Sequence, residues 1–374
     1  MVKLDSIVYG AWFRFIHCRL QIVKSWRYVC MKSMYEKLLE TAENGALTES
    51  MALQLLKGAR DPQNALKLFA LASKVRDRTL GMDFYWTSGI SQVIPCRIAP
   101  RCLYCTFYAR TEFPPEKLAK TAKKLEELGL KQLHLSGGSN LQGYDKEIIG
   151  MVEAIRAVSD IDIEVNLGCS FSAETVRKLK GMSMLSITSS LETINEDIFS
   201  QAKPGDSLDM KKRLMETCER EGVPIRSMIL IGLGESEEDR IRHLFYVKQF
   251  TQLSHLNFSR FMPYPDTAYK NHPRCSPWDV ARTVAVARLL MPHVHLGLAA
   301  GNTMDDIPLW LMAGGGNQVG AAYVSRMPPE PGAGEQVIKV DEDVYIKNRM
   351  PVVERYLEGM GRKVVFERQV TRNL

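Results

Sequence analysis

Long hydrophobic runs are missing from this 374-residue chain, and so is any marked excess of one charge: 49 Lys and Arg face 43 Asp and Glu, a net charge of +6. The first absence argues against a membrane span. The second leaves no basic patch, so nucleic acid is not an expected partner. Cysteine is scarce too, eight residues in all, far below the density of a disulfide scaffold. Low-complexity tracts, collagen-like repeats and sustained heptads are absent, which excludes disordered, fibrous and coiled-coil classes. What is there, 45% hydrophobic and 25% charged residues, is ordinary globular composition. The length suits two average domains or one large α/β barrel.

The leader, residues 1–33, is apolar and basic, but Arg14, His17, Arg19 and Lys24 interrupt its apolar runs. That is too broken for a span or a signal-peptide core, and no small-residue cleavage site follows. It reads as an amphipathic surface helix or as an upstream extension of a chain starting at Met31 or Met34. The regular helical pattern opening at Met34 favours the second. With no export signal and with unpaired cysteines, the expected compartment is the cytoplasm.

Between 34 and 80, apolar residues recur at three-to-four spacing (Tyr35, Leu38, Leu39; Leu53, Leu55, Leu56; Leu66, Phe69, Val75), and Asp61 before Pro62 is a helix start signal. This segment is predicted to form an N-terminal helical cap. Beyond it, strand-like runs at 84–94, 131–136, 161–167, 183–190, 225–231, 255–262, 293–298 and 317–324 alternate with amphipathic helical patterns. Eight strands with helices between them point to the α/β class and a closed (β/α)8 TIM barrel over 81–334, rather than a doubly wound sheet. The short C-terminal extension, 335–374, is charged and carries two strand-like runs, QVIKVDEDVYI and KVVFERQV.

Three of the cysteines, Cys96, Cys102 and Cys105, follow the first expected strand and precede the first barrel helix. They therefore sit on a βα loop at the catalytic end of the barrel. Thiolates on one short loop can share a metal centre, and iron–sulfur clusters are held by such runs. A four-iron cluster with three protein thiolates keeps one iron open. A structural zinc site would need a fourth ligand, and the nearest candidates, His134 and Cys169, lie on other loops. A C-x-x-C redox pair leaves the third cysteine unexplained. Cys18, Cys30 and Cys218 read as buried or incidental.

This loop resembles that of the radical S-adenosylmethionine (SAM) superfamily, whose barrels carry three cysteines after the first strand and an aromatic residue before the last. The resemblance implies an enzyme in which Cys96, Cys102 and Cys105 hold a [4Fe-4S] cluster. SAM would chelate the fourth iron and be cleaved reductively to a 5′-deoxyadenosyl radical. It also implies an external one-electron donor, a small-molecule substrate and anaerobic chemistry, with Tyr104 against the adenine. The usual C-x3-C-x2-C is C-x5-C-x2-C here. That longer gap resembles the HmdB (HcgA) type, proteins of [Fe]-hydrogenase cofactor biosynthesis related to biotin synthase, HydE and PylB. The implied role is formation of the pyridinol precursor of the guanylylpyridinol iron cofactor, alongside other cofactor-maturation proteins. The alternatives are a HydE- or PylB-like enzyme on a small amino-acid-derived compound, or a non-catalytic metal-binding barrel protein.

Further segments resemble superfamily motifs in register. Leu135-Ser136-Gly137-Gly138-Ser139 resembles the glycine motif that receives the methionine amino group, so Gly137 and Gly138 are implied SAM contacts, with Ser139 in the usual acidic place. Ser190-Leu191-Glu192-Thr193 implies contacts from Ser190 and Glu192; a helix N-terminal charge explains Glu192 as well. Lys211 and Arg213 are the candidates for the cation on the SAM carboxylate. Met228 to Glu235 resembles the adenine motif, with Leu233 as contact, although a buried strand ended by a glycine turn accounts for the same pattern. Val165, Arg226 and His295 stand where biotin synthase has ligands of its second, sacrificial cluster, and Cys169 is four residues out of step. A sulfur-insertion reaction would therefore lack its sulfur source. Asn257, Arg260, His295 and Asn302 are the polar candidates for a substrate pocket at the ends of late strands. Ala313 to Gln318 either lines that pocket or forms a tight turn. A cavity that shields a radical is expected to be apolar and closed.

Overall fold

Three helices open the described part of the chain, which comprises residues 34–106, 111–169 and 171–366 of a computed structural model. Helix α1 covers 34–43, α2 Glu49–Gly58 and α3 Pro62–Leu80. The Asp61 carboxylate accepts from the Gln63 and Asn64 N–H groups at 2.9 and 3.0 Å, and Pro62 occupies the first turn where no N–H is needed. Such a cap is worth about 1 kcal/mol. The apolar faces meet over Tyr35, Leu55, Leu56, Leu68 and Phe69, all buried. Gly58 is required by this packing, since a Cβ there would lie 2.4 Å from the Tyr35 ring. The leader lies outside the described residues.

The barrel strands are β1 (Asp83–Ile90), β2 (Gln132–Ser136), β3 (Asp162–Asn166), β4 (Ser186–Glu192), β5 (Ile225–Ile231), β6 (Leu253–Arg260), β7 (His295–Leu298) and β8 (Gln318–Ser325). Their helices are α4 (Pro115–Glu127), α5 (Asp145–Arg156), α6 (Ala173–Gly181), α7 (Glu196–Ala202), α8 (Leu208–Glu221), α9 (Glu237–Lys248), α10 (Pro277–Leu290) and α11 (Ile307–Met312). All eight strands are parallel in the order β7-β6-β5-β4-β3-β2-β1-β8, so the sheet curls round and β8 joins β1. No ladder links β7 to β8 among the described residues. That seam is tied by Gly316 N–H to Leu296 O at 2.8 Å and by the Trp310 indole N–H to the same oxygen at 2.9 Å. The expected eight-strand α/β barrel is the fold observed.

Two details differ from expectation. The first strand stops at Ile90 rather than 94, because Gln92 turns the chain with φ of 58° towards the cysteine loop. Helix α7, which was not expected, precedes α8. The C-terminal extension is knit into the sheet: β9 (Gln336–Asp341) and β10 (Val344–Asn348) form a hairpin, and β10 runs antiparallel to β8. After α12 (Met350–Glu358), β11 (Lys363–Val365) pairs with the first residues of β1, where β2 does not reach. Residues 367–374, which include the second half of the KVVFERQV run, lie outside the described set. No described helix is long and apolar enough to cross a membrane.

Candidate active site

The cysteine loop crosses the C-terminal end of the barrel and is pinned along its length. The Tyr144 hydroxyl donates to Pro95 O, Arg97 N–H to Ser139 O at 2.8 Å, and Leu103 N–H to Ala202 O at 2.8 Å. Tyr269 N–H then reaches back to Leu103 O at 3.2 Å. Gly138 makes this approach sterically feasible, because a Cβ there would lie 2.2 Å from the Cys96 backbone. The N–H groups of Gly137 and Gly138 donate to Asn166 O (3.1 Å) and Ile94 O (2.9 Å), while their carbonyl oxygens are the groups able to accept from a ligand ammonium. Thus the glycine motif first seats the cysteine loop and second offers acceptors.

Cys96, Cys102 and Cys105 are partly exposed and form no disulfide. Burial pushes the Cys102 thiol up to about 12 against the pull of Lys203, so it gives up its proton only to a strongly bound cation. No three Cys, His, Asp or Glu side chains among the described residues converge on a single ion. A four-iron cube instead holds its thiolates at separate corners, which suits three thiols spread along one loop.

Beside this loop lies a buried ionic chain. The β4–β5 register slips between Ser189 and Glu192, and Glu192 adopts φ of 65° with Thr193 N–H bonded to Leu191 O at 2.7 Å. This positive-φ γ-turn is strained for a residue with a side chain. It aims the carboxylate at Tyr104, whose hydroxyl donates to it, and at the Lys203 ammonium 2.9 Å away. Lys203 also pairs with Asp206 at 2.8 Å, Lys211 reaches Asp206 at 3.3 Å, and the Cys169 thiol lies 3.7 Å from the same carboxylate. Burial works against the Lys203 ammonium, but Glu192, Tyr104 and Asp206 hold it well above its ordinary value. Burial likewise opposes ionisation of Asp206, yet Lys211 and Lys203 hold it well below the usual carboxylate range. Tyr104 further meets Phe261 and Tyr269 with ring centroids 6.4 Å apart, an aromatic wall beside the loop.

Residues 96–247 match the Radical SAM superfamily, and 257–323 match the Biotin and Thiamin Synthesis associated domain. An uncharacterized protein of Methanocaldococcus jannaschii is 31% identical over 87% of this chain and 91% of its own. The chain belongs to the radical SAM superfamily. A biotin synthase of Carboxydothermus hydrogenoformans is 24% identical over 73% of this chain and 86% of its own. The crystal structure of methylornithine synthase (PylB) shares the fold with a TM-score of 0.71 at 22% identity, over 88% of this chain and 97% of that one. As a radical SAM enzyme, this protein has a [4Fe-4S] cluster and SAM as its cofactors.

Within this radical SAM barrel the expected contacts divide. Lys211 enters the ionic chain, whereas Arg213 is exposed on α8. Two residues along a helix turn a side chain by about 200°, so of the two cations only Lys211 faces the site. Ser190 sits in the β4 bulge. Leu233 is buried in the turn after β5, and Glu235 shapes that turn by accepting from the Gly232 and Leu233 N–H groups at 2.9 and 2.8 Å. Lys203 and Asp206 escaped sequence reasoning, since Lys203-Pro204-Gly205-Asp206 reads as an ordinary turn.

The lumen corrects the expectation of an apolar chamber. Arg226 on β5 donates to Glu164 on β3, and Glu164 lies 3.2 Å from His134 Nδ1 on β2. The His255 and His295 rings are 4.9 Å apart, and His255 Nε2 is 3.1 Å from Gln318 Oε1 on β8. The Arg226–Glu164 and His255–Gln318 contacts each skip a strand, so they run through the barrel interior. Asn257 lies on the same face two residues beyond His255, against Gly297, where a Cβ would stand 2.2 Å from its Oδ1. Two candidate pocket residues are committed elsewhere. Arg260 bonds Gly301 O and Asp306 at 3.0 Å each, and the Asn302 amide donates to Phe258 O (2.7 Å) and Ala299 O (2.9 Å). Both stitch β6 to the loop after β7. The Ala313 to Gln318 segment is a tight turn whose Gly316 passes over His295, a Cβ there falling 2.2 Å from Nδ1.

Proposed function

We propose that this radical SAM enzyme acts on a small molecule in the biosynthesis of the guanylylpyridinol iron cofactor of [Fe]-hydrogenase, at formation of the pyridinol precursor, as the HmdB type does. The observation that carries the reading is the C-x5-C-x2-C loop over the end of β1. The occupants of the second-cluster positions support it: Val165 is apolar and, next to the inward-facing Glu164, points away from the lumen, Arg226 is bonded to Glu164, and His295 accepts from Asn317 N–H at 3.3 Å. None of them is a thiolate, so sulfur insertion has no donor there.

Cys96, Cys102 and Cys105 would hold the cluster, and its chemistry with bound SAM is reductive cleavage of the sulfonium. An external one-electron donor supplies the electron. Lys203 and Lys211 are suited to the SAM carboxylate, the carbonyls of Gly137 and Gly138 to its ammonium, and Tyr104 and Leu233 to the adenine. Because each buried lysine already has a carboxylate partner, a zwitterion can enter by exchange of partners without leaving a bare charge.

Anaerobic reconstitution should give four irons per chain and 5′-deoxyadenosine on addition of dithionite and SAM. Disruption of the gene in its host should deplete guanylylpyridinol in a mass-spectrometric assay. Unchanged cofactor levels would remove the pathway assignment while leaving the superfamily chemistry intact.

A further inference from the structure

Below the cofactor end, two hydrogen-bond donors of the lumen lie side by side without a protein partner. Arg226 uses Nη1 on Glu164, but its Nε is buried without a partner, as is the Thr188 hydroxyl on the neighbouring strand. His295 accepts from Asn317 N–H through Nδ1, so the proton of its neutral ring is on Nε2. The carboxylate facing Arg226, Glu164, already has Arg226 on one oxygen and His134 on the other. Burial, and then Arg226, Arg288 and Arg76, hold the His295 imidazole well below its ordinary value. His134 keeps 28% of its side-chain surface accessible although it points into the barrel, so this layer of the lumen is not fully packed.

A cationic ligand would find no free carboxylate on this floor, and an apolar one would leave the Arg226 and Thr188 donors unsatisfied. A planar anion matches a guanidinium edge flanked by an imidazole N–H. We propose that the floor is the substrate subsite and that it takes a carboxylate group of a small molecule, held by Arg226 and His295 with Thr188 as a third donor. The proposal rests on the barrel being the substrate chamber of a radical SAM enzyme, as argued above, and it adds the class of substrate.

The test uses the full chain with its cluster reconstituted anaerobically and no reductant present. Acetate, pyruvate and glutarate, their amides, and inorganic phosphate are titrated by saturation-transfer NMR. At least one carboxylate should bind, with its amide bound about tenfold more weakly. Arg226→Met should weaken the carboxylate about ten- to hundredfold, the loss of a hydrogen bond to a charged group, and Arg226→Lys by less. Because Arg226→Met strands Glu164, His295→Gln, which keeps the ion pair, serves as a second variant and should weaken binding about tenfold. Failure of every carboxylate to bind, equal binding of amide or phosphate, or full binding in both variants would overturn the proposal. Since no electron is supplied, the result is independent of whether the enzyme cleaves SAM.

Discussion

The mouth and the floor of this barrel are both buried and both charged, yet they are wired in opposite ways. At the mouth, Glu192, Lys203, Asp206 and Lys211 alternate in sign, and Lys203 and Asp206 each touch two partners of opposite sign. These groups stand on loops, at a strained turn or at the first turn of α8. At the floor a single ion pair, Arg226–Glu164, is surrounded by three histidines that burial, and then Arg226, keep largely neutral. These groups stand on strands, whose ladders fix them. A balanced chain on loops can trade partners with an incoming zwitterion. A floor on a rigid sheet that leaves Arg226 Nε and the Thr188 hydroxyl unpartnered suits a ligand able to accept from both.

The sharpest way to break this contrast is at the cysteine loop that the mouth supports. Cys102→Ala should abolish both cluster and 5′-deoxyadenosine formation, checked by iron content and product assay; retained turnover would mean the ligand set is wrong. Next in size, Lys203→Met leaves Glu192 and Asp206 buried with one fewer cation. We expect a loss of about 3–5 kcal/mol in denaturant melts and weakened SAM binding. A melt within 1 kcal/mol of wild type, by the same scale, would show the mouth to be wetter than the contacts imply.

A smaller effect separates the two regions by pH. Asp206 has a lowered folded pKa, so its stability contribution is present above the ordinary carboxylate range and persists until the pH falls through its folded value. The floor histidines also have lowered folded values, His134 falling to about 3 from 6.5. Unfolded chains then bind more protons than folded ones, and stability declines as the pH falls from 6.5 towards 3. Melts between pH 7 and pH 5 should therefore lose stability in wild type, less in His255→Gln, and as much as wild type in Asp206→Asn; the reverse order would move the acid sensitivity to the mouth. Smallest of all, Arg213→Ala should change stability by less than about 0.5 kcal/mol and leave SAM binding as it is. A tenfold loss of SAM affinity would return this arginine to the site.

Much of the architecture was legible because it is local. The eight strands carry their own periodicity, and Asp61-Pro62 announces its helix. The cysteine loop was legible because its three ligands are close in sequence. His295 was harder to assign: it alternates with apolar Val294 and Leu296 at a strand's end, which says inward, but inward could mean packing or binding. Arg260 and Asn302 were ambiguous because a polar residue at a strand end looks the same whether it faces a pocket or stitches a loop. Lys203 and Asp206 gave no signal, since nothing near them in sequence says that Glu192 will turn back to meet them.

By itself the sequence determined the order of the eight barrel strands, the three-cysteine loop and the lack of second-cluster thiols, because those depend on near neighbours and residue identity. Tertiary structure alone decided that Lys203 and Lys211 rather than Arg213 face the mouth, and that the lumen is polar. The partners there are distant in sequence: Glu192 meets Tyr104 across 88 positions, and Glu164 meets Arg226 across 62. Such pairings exist only once the sheet has curled and β8 has met β1, because closure is what brings alternate strands face to face.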